Sequence, residues 1–202
     1  YKDMKLKLIT VCFSFLVLGA CSKDGIDLPA KYVFDKASIK SQSVYAFQNG
    51  VSKEVNPTTG EFAEINRLVI DSFDILFEQL TTMFPFTFQS IELLDEKTAK
   101  VIGLSGADFT VPYEKLSEDL IIIDGTTELK IGDNTLAQCF VLSNRVGVFA
   151  NGMEFSIPDL TFCSHSATNQ ELAKKVYDEY TKNGTKVDSV MVTPFNVFYR
   201  RK

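Results

Sequence analysis

Between residues 120 and 157 the chain is a run of short apolar segments separated by tight-turn signals. Leu120–Ile123 runs into Asp124-Gly125, and residues 128–131 follow. Gly132-Asp133-Asn134 leads into 136–142, Ser143-Asn144-Arg145 into 146–150, and Asn151-Gly152 into 153–157. Asp-Gly and Asn-Gly tolerate the positive φ angles that two-residue hairpins require. Strands joined so tightly must pair with their sequence neighbours. The product is an up-and-down antiparallel meander, which either closes into a barrel or curls strongly. Pro158 ends the run, and residues 160–163 form a further short extended piece.

Strands also open the chain's globular part. Tyr32 and Phe34 alternate with polar neighbours, as do Val44-Tyr45 and Phe47, and Asn49-Gly50 is a turn pair. Asn56-Pro57-Thr58-Thr59-Gly60 breaks the pattern. Residues 61–83 then change period: Phe62, Ile65, Val69, Phe73, Leu76, Leu80 and Met83 share one helical face. Leu68, Ile70, Ile75 and Phe77 form a second apolar face, so this helix is expected to be buried on more than one side, as core rather than as a lid. From Phe86 the period returns to two, with strands expected around Phe88, Ile91 and Leu93, at 98–104 and at 108–111. Residues 169–182 are helical in period, with Thr168 or Asn169 as the cap and Asn183-Gly184 as the stop. A last strand covers 187–199, and Pro194 marks a bulge or an edge in it.

An opening strand, an antiparallel meander, a late helix and a final strand together resemble the lipocalin-like, or calycin, barrels. The chain has no tryptophan, so the Gly-x-Trp signature of lipocalins is absent. The expected class is α+β, mainly antiparallel β. The meander closes into a lipocalin-like barrel or a curled sheet, with one long helix at 61–83 and a C-terminal helix at 169–182. The 17 phenylalanines supply interior side chains, which either border an apolar cavity or fill the core.

A separate signal stands near the N-terminus. Lys5 and Lys7 precede an apolar run at 8–18, shorter than the roughly 20 residues of a spanning helix. Leu18-Gly19-Ala20-Cys21 follows and resembles the bacterial lipobox. Ser22-Lys23-Asp24 is similar to the export signal of Bacteroidetes surface lipoproteins. The resemblance implies that residues 1–20 are a signal peptide, with 1–3 extraneous to it ahead of Met4. Cys21 would then begin the mature protein and carry acyl chains such as palmitate. Two or more such chains anchor permanently. Residues 21–30 would be the lipidated tether and 31–202 a single β-rich domain. The implied location is the outer membrane, at the cell surface or on the periplasmic face.

Loss of Cys12 and acylation of Cys21 leave Cys139 and Cys163, which outside the cytosol are expected to pair. His165 is the only histidine, so a metal centre is not expected, and the disulfide competes with any thiolate role for Cys163. Asp95-Glu96, Asp124-Gly125, Gly132-Asp133-Asn134 and Asp159 read as turn residues rather than as a calcium loop or a catalytic pair. Phosphate loops and a Gly-x-Ser-x-Gly elbow are absent. With 21 Lys and Arg against 26 Asp and Glu, and a basic run only at Arg200-Arg201-Lys202, nucleic-acid binding is excluded. Asp188-Ser189-Val190 resembles a short Bacteroidetes O-glycosylation site. The expectation is a non-enzymatic envelope lipoprotein without cofactor, catalytic residues or metal, held to the membrane by its lipid and taking a small apolar ligand. The alternative is a surface structural or protein-interaction module with a packed core.

Overall fold

The computed structural model describes residues 26–59, 62–83, 87–149, 152–155 and 159–202. Cys21, Ser22, Lys23 and Asp24 lie outside the described residues. The chain forms β1 (Ala30–Ile39), β2 (Ser43–Gln48), β3 (Val51–Val55), α1 (Phe62–Asp71) and α2 (Phe73–Met83). There follow β4 (Phe88–Leu93), β5 (Thr98–Gly103), β6 (Asp108–Ser117), β7 (Leu120–Ile123), β8 (Thr127–Ile131) and β9 (Thr135–Phe149). The last elements are β10 (Gly152–Phe155), β11 (Asp159–Phe162), α3 (Asn169–Lys182) and β12 (Ser189–Arg201).

The sheet is a closed eight-stranded antiparallel barrel in the order β1-β4-β5-β6-β7-β8-β9-β12. Tight turns join neighbours from β4 to β9. Closure is long-range: β12 returns to pair with both β9 and β1. The β9–β12 register runs from Thr135 opposite Arg200 to Val146 opposite Ser189. On the other side of β12, Tyr32 faces Arg201 and Ile39 faces Phe195. This long ribbon outgrows the barrel. Its upper half carries the β2–β3 hairpin on β12, and β10 and β11 on β9.

Alternation along the ribbon decides what each face touches. Leu136, Phe140 and Leu142 of β9 meet Phe195, Val197 and Tyr199 of β12 in the barrel core. Cys139, Val141, Val190 and Val192 face outward, where Leu172, Ala173 and Val176 of α3 cover them. Helix α3 is amphipathic and begins with a capping box, in which Thr168 and Glu171 satisfy each other's backbone N–H groups. The ribbon is therefore buried on both faces, which explains why β12 shows little alternation of burial.

The helical stretch after β3 is divided in two at Ser72. Hydrogen bonds from Ser72 N–H to Leu68 and from Leu76 N–H to Ser72 carry the path through the junction. One face of α2 seats Phe73 and Leu80 in the barrel core. Of the expected second apolar face, Phe77 packs against the barrel core and the other three residues depart from expectation. Leu68, Ile70 and Ile75 remain 51%, 48% and 62% exposed. A short helix lying across a barrel mouth has only one side to offer the core. At the opposite end, Ile26 and Leu28 pack against the barrel core, and Arg201 donates to the Asp27 carbonyl at 2.7 Å. Residues 26–29, part of the expected tether, are thus docked on the barrel base. None of the helices among the described residues is long and apolar enough to cross a membrane.

Candidate functional site at the barrel mouth

Aromatic and branched side chains occupy the barrel interior. Tyr32, Ile91, Leu93, Phe140, Phe195 and Tyr199 are each 2% exposed or less. The Tyr199 hydroxyl donates to Gln138 Oε1 at 2.8 Å and accepts from Phe88 N–H at 3.2 Å. Burial pushes this phenol far above the usual tyrosine range, so it stays neutral. This interior matches the packed-core alternative more closely than a ligand-filled one.

Helix α2 is held to the mouth by aromatic contacts. Phe73 and Phe77 meet Phe195 edge-on, with ring centroids 5.2 and 6.0 Å apart. Phe77 also lies parallel to Phe34 of β1 at 6.1 Å. Beside this contact an apolar crevice of about 270 Å³ opens between α2 and the barrel rim, lined by Phe34, Phe77, Glu78, Thr81, Thr87 and Leu104. The Thr81 hydroxyl is satisfied by the Glu78 carbonyl at 2.9 Å. Thr87 is different. It is 1% exposed, and its hydroxyl has no hydrogen-bond partner. A buried hydroxyl without a partner costs free energy, which the packing around it must offset.

The cysteine region forms a second, smaller cleft of about 150 Å³, lined by Thr126, Glu128, Cys139, Phe162, Cys163 and Ser164. Cys139 and Cys163 are bonded, with their Cα atoms 5.3 Å apart. The pair ties the outer face of β9 to the loop leading into α3. Glu128 accepts from the Ser164 hydroxyl at 2.9 Å and from His165 N–H at 3.2 Å. The His165 ring bonds the Ala137 carbonyl through Nε2 at 2.8 Å. Because a carbonyl only accepts, Nε2 carries the proton. These three hydrogen bonds hold the loop to β8 and β9.

Burial lowers the His165 pKa below its ordinary 6.5, aided by Lys40 and Lys130 and opposed by Glu128 and the Ala137 carbonyl. The unfolded chain therefore takes up this proton before the folded one. Stability from this site is complete above pH 6.5 and declines as pH falls through the lowered folded value. His165→Gln is expected to flatten that decline. Urea midpoints at about pH 7.5 and about pH 5.5 check it, the wild type falling further than the variant between them.

The remaining residues singled out by the sequence serve turns and surfaces. Asp95 accepts from Lys97 N–H and Thr98 N–H, each at 2.8 Å, and these bonds hold its carboxyl below the usual range. Asp159 receives the Tyr180 hydroxyl and lies 3.9 Å from the Arg145 guanidinium. Ser189 is buried, with β2 on one side and β9 on the other, so the Asp188-Ser189-Val190 triplet lies within the sheet. A broad open groove of about 820 Å³ separates the β2–β3 turn from α3, where Gln170 bonds Ser52 at 3.0 Å. The described residues contain no group of three or more His, Cys, Asp or Glu able to hold a metal.

Phe34, Phe77, Thr87 and Leu104 were not legible as a site. They come from a strand, a helix and two connections, and only the closed barrel brings them together. A closed eight-stranded antiparallel barrel with a C-terminal helix on its outer wall is an architecture compatible with a lipocalin-like domain. No protein-family model matches the chain, and neither the curated proteins nor the solved structures provide a match.

Proposed function

We propose that this protein is a non-enzymatic, lipid-anchored domain of the cell envelope that binds a small apolar ligand at its barrel mouth. The crevice between α2 and the rim carries this reading. Phe34, Phe77 and Leu104 give it apolar walls, and Glu78, Thr81 and Thr87 are its polar lining residues. Pockets that take small molecules combine apolar walls with a few placed polar groups in this way. Residues 26–29 lie at the other end of the barrel, so an anchor at Cys21 would leave the mouth facing away from the membrane. His165 and Glu128 are engaged in structural hydrogen bonds, which favours a binding role over catalysis.

Native mass spectrometry of the protein from the membrane fraction tests the proposal. The expected result is an acylated N-terminal Cys21 and a non-covalent apolar species that Phe34→Arg removes. Repeated preparations without a bound species, or a Cys21→Ser variant that stays in the membrane, would overturn it. The packed interior and the exposed Leu68, Ile70 and Ile75 favour a second reading, an interaction module that meets its partner through the outer side of α1 and α2.

A further inference from the structure

We infer that β3 is a docking edge, to which an extended segment of a partner protein, acidic at its centre and apolar on either side, adds as an antiparallel strand. The site shares no residue with the mouth crevice, so the two readings stand or fall separately. Within the barrel, closure leaves no strand edge, but the β2–β3 hairpin lies beyond it and β3 ends the sheet beside β2 alone. The alternation of the hairpin shows which groups are open. Asn49 and Gly50 both have the positive φ of a type I′ turn, so Gln48 and Val51 close it with a mutual pair of backbone hydrogen bonds. Bonded pairs then recur at Ala46–Lys53 and Val44–Val55, and the N–H and C=O groups of Ser52 and Glu54 point away from β2. Phe47, opposite Ser52, agrees: its N–H turns the other way and donates to the Asp188 carbonyl at 2.9 Å. Among the described residues no backbone group outside the hairpin bonds to Ser52 or Glu54. The strand has no bulge and no proline, two devices that blunt an edge.

The side chains set the partner. Tyr45 and Phe47 pack in the cluster under α3, so Ser52 and Glu54 opposite them share that side, and Gln170 bonds Ser52 at 3.0 Å. Val51, Lys53 and Val55 take the other side. Val51 is 71% exposed, and Lys53 is exposed with no ion pair among the described residues. Two copies joined through both Ser52 and Glu54 would set Lys53 opposite Lys53, and that like-charge pair disfavours a second copy as the occupant. A strand reading apolar, basic, acidic, polar, apolar against Val55, Glu54, Lys53, Ser52 and Val51 places opposite charge on Glu54 and Lys53 and covers both valines. On the α3 side, the open groove beside Gly50, Val51 and Ser52 leaves room for its side chains. Strand addition draws affinity from main-chain bonds and selectivity from alternate side chains.

The probe is the acetylated and amidated peptide Thr-Val-Lys-Glu-Thr-Val-Thr, titrated into the full chain and followed by amide NMR. Binding is expected to slow hydrogen exchange at the Ser52 and Glu54 N–H groups and to leave Lys53, already bonded to Ala46, unchanged. N-methylation of the peptide's Lys and of the Thr after Glu, whose amides face β3, is expected to weaken binding about tenfold or more. N-methylation of its Glu, whose amide faces away, is expected to change binding by less than about twofold. Replacing that Glu by Lys is expected to cost about fivefold, and Lys53→Glu to restore the loss. Glu54→Pro is expected to abolish binding at an unchanged urea midpoint, since the N–H it removes lies outside the hairpin ladder. A peptide that does not bind, or an equal loss in both methylated forms, overturns the inference. So does a dimer of the free chain that Glu54→Pro dissolves, which would give the edge to a second copy.

Discussion

Phe195→Ala is expected to lower the unfolding free energy by about 3–5 kcal/mol, the range for removing a fully buried aromatic ring. Phe195 is 0% exposed and touches three other rings: Phe73 and Phe77 edge-on, and Phe140 at 5.5 Å nearly parallel. It is therefore both barrel core and the seat of α2. Its loss leaves a cavity at the point where helix and barrel meet, and the helix is expected to open more readily than the strands. Urea denaturation measures the total. Amide hydrogen exchange across residues 73–83 separates the helix from the rest. In a double-mutant cycle with Phe73→Ala the two losses should fall short of additivity by about 0.5–1.5 kcal/mol, because they remove the same ring contact. A cost for Phe195→Ala well under about 1 kcal/mol would mean that α2 is not seated by this residue.

Replacing both Cys139 and Cys163 by alanine is expected to cost about 3 kcal/mol, from the chain entropy regained by the unfolded state. The bond spans a sequence separation of 24 residues. It crosses from the outer face of β9, past β11, to the loop that starts α3. The loss should therefore fall first on the outer cluster of Leu172, Val176, Val190 and Val192, not on the barrel interior. Adding reductant should lower the wild-type midpoint to that of the double variant and leave the variant unmoved. A wild-type midpoint that stays put while both thiols become titratable would show that the bond contributes little to folding.

Local patterns read well in this chain because local physics produces them. Thr168 and Glu171 stand at capping-box spacing before an amphipathic run, and α3 covers the residues that the run marks out. Asn49, Gly50, Asp124 and Gly125 adopt positive φ in turns between paired strands, as Asn-Gly and Asp-Gly pairs favour. The helical stretch at 61–83 was legible as helix, yet its division at Ser72 and its exposed face were not. Periodicity reports which residues share a face, but it carries no information on how many neighbours that face will find. The crevice was not legible at all. Thr87 has no pattern to mark it, and it joins Phe34 and Phe77 only in the folded chain.

The sequence by itself determined the meander, the two helical regions, the Asn-Gly and Asp-Gly turns and the alternating faces, because each depends on residues a few positions apart; the turn expected at Ser143-Asn144-Arg145 is absent, because β12 pairs with β9 without a break from Thr135 to Val146 and holds it extended. Only the tertiary structure decided that the sheet closes, that α2 fills the mouth and that four distant side chains form a crevice beside it. Closure needs β12 to meet β1, where Tyr32 faces Arg201 from the far end of the chain. Such a contact is set by how twisted strands, packed rings and the docked base fit together in space. No short stretch of residues holds that information.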